Sequence, residues 1–299
     1  NVLALEVVLP NGTVIEIGSR ARKSSAGYDL THLFVGSEGT LGIITRLTVR
    51  LFGQPETILA ATCGFETVAA AVNSVIMAIQ MGIPMARIEL LDEVQMKGMN
   101  IFNPDLNLSE KPHLFLEFHG SDASVKEQVE LFEGVGEEFG ASDFAWATKA
   151  EDRARLWAAR HNAYYAGKSL RKGCESVVTD CCVPISELAD CIARTKEIID
   201  EAGLIAPLVG HVGDGNFHLL ILFDPNDPEE LTKAKQLASD VNRVALSFGG
   251  TVTGEHGVGT GKKKYMAEEH GAAYALMATL KRAVDPDNIM NPGKTVDIN

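Results

Sequence analysis

The segment Gly210-His211-Val212-Gly213-Asp214-Gly215-Asn216-Phe217-His218 holds two imidazoles seven positions apart around a turn-forming run of glycine, aspartate and asparagine. On an uninterrupted strand, residues of odd separation point to opposite faces, so the two rings converge only if the glycines fold the chain back. Two neutral imidazoles with one carboxylate form an N/O site suited to zinc, manganese or iron, with positions left open for a substrate. Asp214, inside the turn, and Glu255, in Thr253-Gly254-Glu255-His256-Gly257-Val258-Gly259, are the candidate carboxylates. Glu255 is preferred: its glycine frame lets backbone and ligand approach closely, whereas Asp214 suits its own turn. The plain alternative is a pair of histidines bonded to nearby backbone; two glycine-framed clusters in one chain favour a site.

His256 is the candidate base. An imidazole titrates near neutrality and can take a hydroxyl proton, more readily if a metal sits on the same oxygen. Its alternative role is a further metal ligand. Arg160, in Arg155-Leu156-Trp157-Ala158-Ala159-Arg160, is a candidate grip on a carboxylate through two parallel hydrogen bonds, against the plain reading of an exposed helix arginine. Gly36-Ser37-Glu38-Gly39-Thr40-Leu41-Gly42 is glycine-rich and precedes a strand, which exposes backbone N–H groups. It is neither GxGxxG opening a helix nor a Walker loop. Lys262, Lys263 and Lys264 could steer an anion, although a charge run opening a helix is more often a solvated face.

These residues need elements to position them. Two β-rich runs flank Pro10-Asn11-Gly12 and read as a hairpin, and the β-branched content of 43–52 reads as a strand. Gly53-Gln54-Pro55 marks a boundary. Beyond it the periodicity predicts strand 57–64, helix 66–82, strand 85–91, strand 113–119, helix 122–139 and strand 142–147, a ferredoxin-like order. A helix is expected over 150–171. Strand 175–183, helix 186–202, strands 205–211 and 217–223, and helix 227–248 begin the same order again. The expected fold is α+β, with two ferredoxin-like halves sharing a large antiparallel sheet. A last helix over 262–283 precedes an ordered tail, 284–299.

At 299 residues the chain suggests two domains or one large one. A net charge of −13 opposes binding to nucleic acid, and no apolar run approaches the ~18 residues that span a bilayer. Five cysteines without CxxC spacing suggest free thiols rather than a disulfide framework. The opening Asn1, with no signal or transit pattern after it, leads to the expectation that the natural start lies upstream.

Taken together, the stretches FVGSEGTLGIIT, GHVGDGNFH, TGEHGVG and NIMNPGK resemble, in content and order, the C-terminal part of FAD-linked oxidases of the vanillyl-alcohol-oxidase type. Within that family RIELLDEV, FLEFHGS, RLWAARHNAYYA and SVVTDCCVPISEL look most like mitochondrial, cytochrome-linked D-lactate dehydrogenases. The resemblance implies that 1–53 is the end of an α/β FAD-binding domain, 54–283 a substrate- and metal-binding cap, and 284–299 a tail returning to the flavin. It implies that Ser37, Glu38, Gly39, Thr40, Gly42, Ile43, Ile44 and Asn291 lie along FAD. It also implies a zinc or manganese ion on His211, His218 and Glu255, a base at His256 and a carboxylate clamp at Arg160. The family's pyrophosphate-binding loop falls upstream of residue 1, so the 299-residue piece alone is expected to hold FAD poorly and to be inactive.

The expected reaction is oxidation of D-lactate to pyruvate by hydride transfer to FAD, with electrons passed to cytochrome c and, by resemblance, a mitochondrial location. D-2-hydroxyglutarate or glycolate is the alternative substrate. From other classes, the alternatives are a flavin-free metal-dependent hydrolase and an inactive binding or assembly module.

Overall fold

The computed structural model describes residues 1–106 and 108–298; Asn107 and Asn299, the latter ending the expected tail, lie outside the described residues. The chain forms two compact units, 1–54 with 255–299, and 55–254.

The first unit opens with β1 (Val2–Val8) and β2 (Val14–Gly18), followed by α1 (Leu30–Phe34) and β3 (Ile43–Val49). β1 and β2 form the expected hairpin, paired from Val8↔Val14 to Ala4↔Gly18, and Asn11 braces the turn by accepting from Thr13 N at 3.0 Å. β3 pairs with the other side of β1, so the order is β2-β1-β3. Asp29 caps the short α1, which the sequence pattern did not reveal. Leu5, Val7, Ile17, Phe34 and Leu41 make a small core.

The second unit runs β4 (Thr57–Gly64), α2 (Val68–Gln80), β5 (Arg87–Leu91), α3 (Glu93–Phe102), β6 (His113–Gly120), α4 (Asp122–Glu138) and β7 (Ser142–Ala147). It continues through α5 (Ala150–His161), α6 (Ala163–Ser169), β8 (Glu175–Val178), β9 (Cys181–Cys182), α7 (Leu188–Ala202), β10 (Leu208–Gly210), β11 (Asn216–Phe223) and α8 (Pro228–Ser247). Thr67, Asp92, Ser121 and Asp227 cap α2, α3, α4 and α8 with their side chains, satisfying N–H groups that have no partner inside a helix.

The sheet order is β7-β4-β6-β5-β10-β11-β8, with β9 also on β11, and every pairing is antiparallel. The first half has the ferredoxin-like order 4-1-3-2, and the second half is joined to it edge to edge through β5 and β10. Two halves sharing one antiparallel sheet are therefore present. α2, α4, α7 and α8 bury apolar residues in one continuous core against this sheet.

The structure departs from the expected elements at several points, beginning with α3 (Glu93–Phe102), which the periodicity did not mark. The helix over 150–171 breaks at Asn162, whose side-chain amide donates to Ala158 O at 2.9 Å and competes with helical backbone bonding. The strand over 175–183 breaks at Thr179 and Asp180, where Thr179 Oγ1 accepts from Leu219 N at 3.0 Å and the Asp180 side chain turns inward. The fourth strand of the second half shrinks to a single bridge, Thr251 to Cys182. In the first unit, the helix over 262–283 divides into α9 (Met266–His270) and α10 (Ala273–Val284) at Gly271, whose φ is +54°.

Candidate active site

In the second unit, β5 carries Glu89 between Ile88 and Leu90, so the acid faces away from the apolar core that those two enter. Its carboxylate has three partners. Oε1 accepts from His211 Nδ1 at 2.6 Å, and Oε2 accepts from Arg160 Nε at 3.1 Å and Nη2 at 2.8 Å. Arg160 comes from the last turn of α5 and is not the exposed helix arginine of the plain reading: its side chain is 14% exposed. These three residues line a pocket of about 460 Å³ with Ile83, Met85 and Ile88 on its apolar side.

The turn between β10 and β11 does fold the chain back. The His211 and His218 rings lie edge to face with centroids 5.8 Å apart. His218 Nδ1 faces Thr179 O at 3.2 Å and Asp180 Oδ1 at 3.5 Å. A carbonyl and a carboxylate only accept, so Nδ1 of each ring is the donor in these contacts. Metal-binding histidines are oriented in this way, by a second acceptor that fixes the tautomer. The donor set of two imidazole nitrogens thus fits a zinc or manganese ion.

Asp180 is fully buried and anchors the far side. Oδ1 accepts from Asn216 Nδ2 at 3.0 Å and Oδ2 from Thr253 Oγ1 at 3.0 Å. Gly254 N donates to Asp180 O at 3.1 Å, and a Cβ built on Gly254 would fall 2.2 Å from Asn216 Nδ2. In an ideal ferredoxin-like half the end of the fourth strand lies far from the turn after the second. Here that strand is only a bridge, so Gly254 still lies beside the β10–β11 turn. Asp214, the other candidate carboxylate, does not brace its own turn by a side-chain hydrogen bond among the described residues. Backbone bonds from Asp214 N and Asn216 N to His211 O close it, and Asp214 lines the pocket.

In the first unit, Glu255 and His256 are half-exposed neighbours, with His256 Nε2 3.8 Å from Glu255 Oε1. The loop that follows them is held by Glu38, whose carboxylate accepts from Val258 N at 2.6 Å and Gly259 N at 2.8 Å. Asn291 Nδ2 donates to Glu38 O at 2.5 Å. Ser37, Glu38, Gly39, Gly42, Ile43, Ile44 and Asn291 line one groove of about 510 Å³. Thr40 lies outside that lining; it is buried, and its Oγ1 donates to Ser37 O at 2.7 Å. Gly42 is required by packing: a Cβ there would lie 2.8 Å from Val7 Cγ1 and 2.9 Å from Val8 O. Ile43, Ile44 and Ile289 are 56%, 38% and 59% exposed along the groove, an apolar surface of the kind a planar ring system covers. Of the lysine run, Lys263 is committed to Gly293 O and Asp297, and Lys264 lies over the Tyr265 ring.

Glu89 and Asp180 are the residues that sequence reasoning missed. Each is an acid inside an apolar strand run, Arg87-Ile88-Glu89-Leu90-Leu91 and Val177-Val178-Thr179-Asp180-Cys181, which is the signal that could have found them.

The chain is 50% identical over 302 residues to "Probable D-lactate dehydrogenase, mitochondrial" of Danio rerio, covering 100% of the chain and 61% of the relative. It is 46% identical to "D-lactate dehydrogenase [cytochrome], mitochondrial" of Arabidopsis thaliana, covering 99% of the chain and 52% of the relative. The chain therefore spans between half and two thirds of the length of these relatives. Among solved structures, 4-ethylphenol oxidase from Gulosibacter chungangensis superposes with a TM-score of 0.75 at 17% identity, over 99% of this chain and 65% of that one, a likeness of fold alone. Residues 54–295 match the family described as FAD linked oxidases, C-terminal domain, and the chain belongs to that family.

Proposed function

We propose that the chain is the substrate- and metal-binding part of an FAD-dependent dehydrogenase that oxidises a small D-2-hydroxy acid, D-lactate foremost, to its 2-oxo acid. The observation that supports it best is the Arg160–Glu89–His211 chain lining one pocket, an anion-binding guanidinium tied to an oriented imidazole.

Arg160 binds the acid's carboxylate through the guanidinium edge that Glu89 does not occupy. The apolar side at Ile83, Met85 and Ile88 takes the substituent on C2 and keeps water from it. His211 and His218, with Glu255, would hold a divalent ion, and Ser37, Glu38, Gly39, Thr40, Gly42, Ile43, Ile44 and Asn291 would follow FAD. When bound, these groups supply a two-electron acceptor and a positive charge that acidifies the hydroxyl. His256 takes the proton from the C2 hydroxyl oxygen. With the carboxylate, the hydroxyl and the C2 substituent each held, the C2 hydrogen takes one direction, so a single enantiomer reacts. The word cytochrome in the Arabidopsis relative's name supports a cytochrome, cytochrome c in this reading, as the electron acceptor, and both names support a mitochondrial location.

The test is anaerobic addition of D-lactate to the full-length protein while flavin absorbance is followed, with L-lactate in parallel. Bleaching by D-lactate alone is expected; a full-length protein without flavin would overturn the reading and favour a metal-dependent hydrolase. A second substrate is favoured by one observation. Arg87 lines the same pocket, with its guanidinium 5.0 Å from the Trp157 ring centre and its Nε 3.7 Å from Glu117 Oε1, and a distal carboxylate would have to share this cation with Glu117. Faster bleaching by D-2-hydroxyglutarate would assign that acid instead; glycolate, with no C2 substituent, is the control for the apolar side.

A further inference from the structure

We propose that Glu89 is a positioning residue that couples the acid's carboxylate clamp to the metal ligand, so that acid and metal bind cooperatively. This rests on the reading of the site given above. Glu89 stands at the junction of three elements: β5, on which it sits, α5, which supplies Arg160, and the turn after β10, which supplies His211. Its side chain is only 10% exposed, and a buried carboxylate persists where charge and hydrogen bonds satisfy it. Its two oxygens divide the work, Oε1 to His211 and Oε2 to Arg160.

That division makes the two functions interdependent. A cation held by His211 would withdraw electron density from the ring and make Nδ1–H a stronger donor to Glu89 Oε1. Carboxylate charge is then drawn towards Oε1, and Oε2 holds Arg160 less tightly. Among the described residues Arg160 Nη1 has no hydrogen-bond acceptor, so the guanidinium gains attraction for an incoming carboxylate. Linkage makes the effect reciprocal: acid bound at Arg160 leaves Glu89 with more charge for His211 and strengthens the cation's hold. A glutamine at 89 could not do this. It has one accepting oxygen, and its amide would confront an N–H of either Arg160 or His211.

The experiment measures manganese affinity of the full-length protein by calorimetry, with and without saturating D-lactate, for the unaltered chain, Glu89→Gln and Glu89→Asp. D-lactate is expected to tighten manganese by about fivefold or more in the unaltered chain. Glu89→Gln is expected to weaken manganese by about 10- to 100-fold, to diminish the D-lactate effect to what direct attraction between ion and acid leaves, and to raise KM more than it lowers kcat. Glu89→Asp, which keeps both oxygens on a shorter stem, is expected to recover part of the coupling; if Glu89→Gln does not fold, coupling in Glu89→Asp equal to that of the unaltered chain overturns the proposal. Unaltered manganese affinity and coupling in a folded Glu89→Gln protein also overturns it while leaving the site reading intact. Absence of manganese binding in the unaltered chain overturns the site reading itself.

Discussion

The Lys281 ammonium donates to the Thr40 carbonyl, 241 positions away in sequence, at 2.8 Å. It also donates to Met290 O at 2.7 Å and to the Asp285 carboxylate, so its three protons are all used. Lys281 is 2% exposed and Asp285 is fully buried. Through this pair α10 holds both sides of the groove lined by Gly39, Gly42 and Asn291.

Lys281→Met leaves a buried carboxylate without its cation and should destabilise the first unit by about 3–5 kcal/mol. Both tryptophans, Trp146 and Trp157, belong to the second unit. Circular dichroism should therefore show an early unfolding step that tryptophan fluorescence does not follow. A single transition unchanged from the unaltered chain would refute this.

The same pair sets an acid limit. Burial alone would raise the Asp285 carboxyl, but hydrogen bonds from Lys281 and from the N–H groups of Met290 and Ile289 outweigh it and hold the carboxyl below its ordinary value of 3.8. A depressed folded-state value contributes stability that is present above the ordinary value and lost as pH falls through the lower one. The first unit should thus lose stability below about pH 4, and Asp285→Asn should flatten that part of the profile when melting is followed against pH.

Arg160→Lys removes a planar fork that spans Nε and Nη2 on one oxygen of Glu89. A hydrogen bond to a charged group contributes about 1.5–3 kcal/mol, so kcat/KM for the acid should fall roughly ten- to a hundredfold. Steady-state kinetics on the full-length protein, with the melting temperature as a control for folding, would show it. An unchanged KM would mean the carboxylate binds elsewhere.

Gly254→Ala places a methyl 2.2 Å from Asn216 Nδ2 and 3.2 Å from Asp180 Oδ1. Overpacking of this kind costs about 1–3 kcal/mol. Because Asp180 lies beside His218 Nδ1, bound metal should fall along with stability in urea. Full metal content in the variant would separate Gly254 from the site.

Burial pushes the Cys63 and Cys191 thiols up to about 12, and it raises Cys174 and Cys182 as well. The thiolate is the reactive form, so a disulfide reagent at pH 8 should label the folded chain slowly and all five cysteines in urea. Rapid labelling of the native protein would contradict the burial.

Much of this was written locally. Periodicity of 2 and 3.6 is a short-range property, and it marked the strands and packing helices of both sheet halves, which have apolar faces to bury, but not α3 (Glu93–Phe102). The glycine-rich His211–His218 turn was legible because only glycine and its polar neighbours reverse a strand so tightly, and the structure does bring the two rings together. The loop at Ser37 to Gly42 was legible from its glycines. What tertiary structure decided is the company these residues keep. Glu89 and Asp180 look like ordinary strand acids until folding buries them against Arg160, His211 and Asn216. The pairing of β5 with β10, and the shrinking of a fourth strand to the Thr251–Cys182 bridge, are likewise outcomes of contacts far apart in sequence. A residue's type and spacing state what chemistry it can do. Its partners lie from 36 to 122 positions away, and only the fold brings them within hydrogen-bond reach.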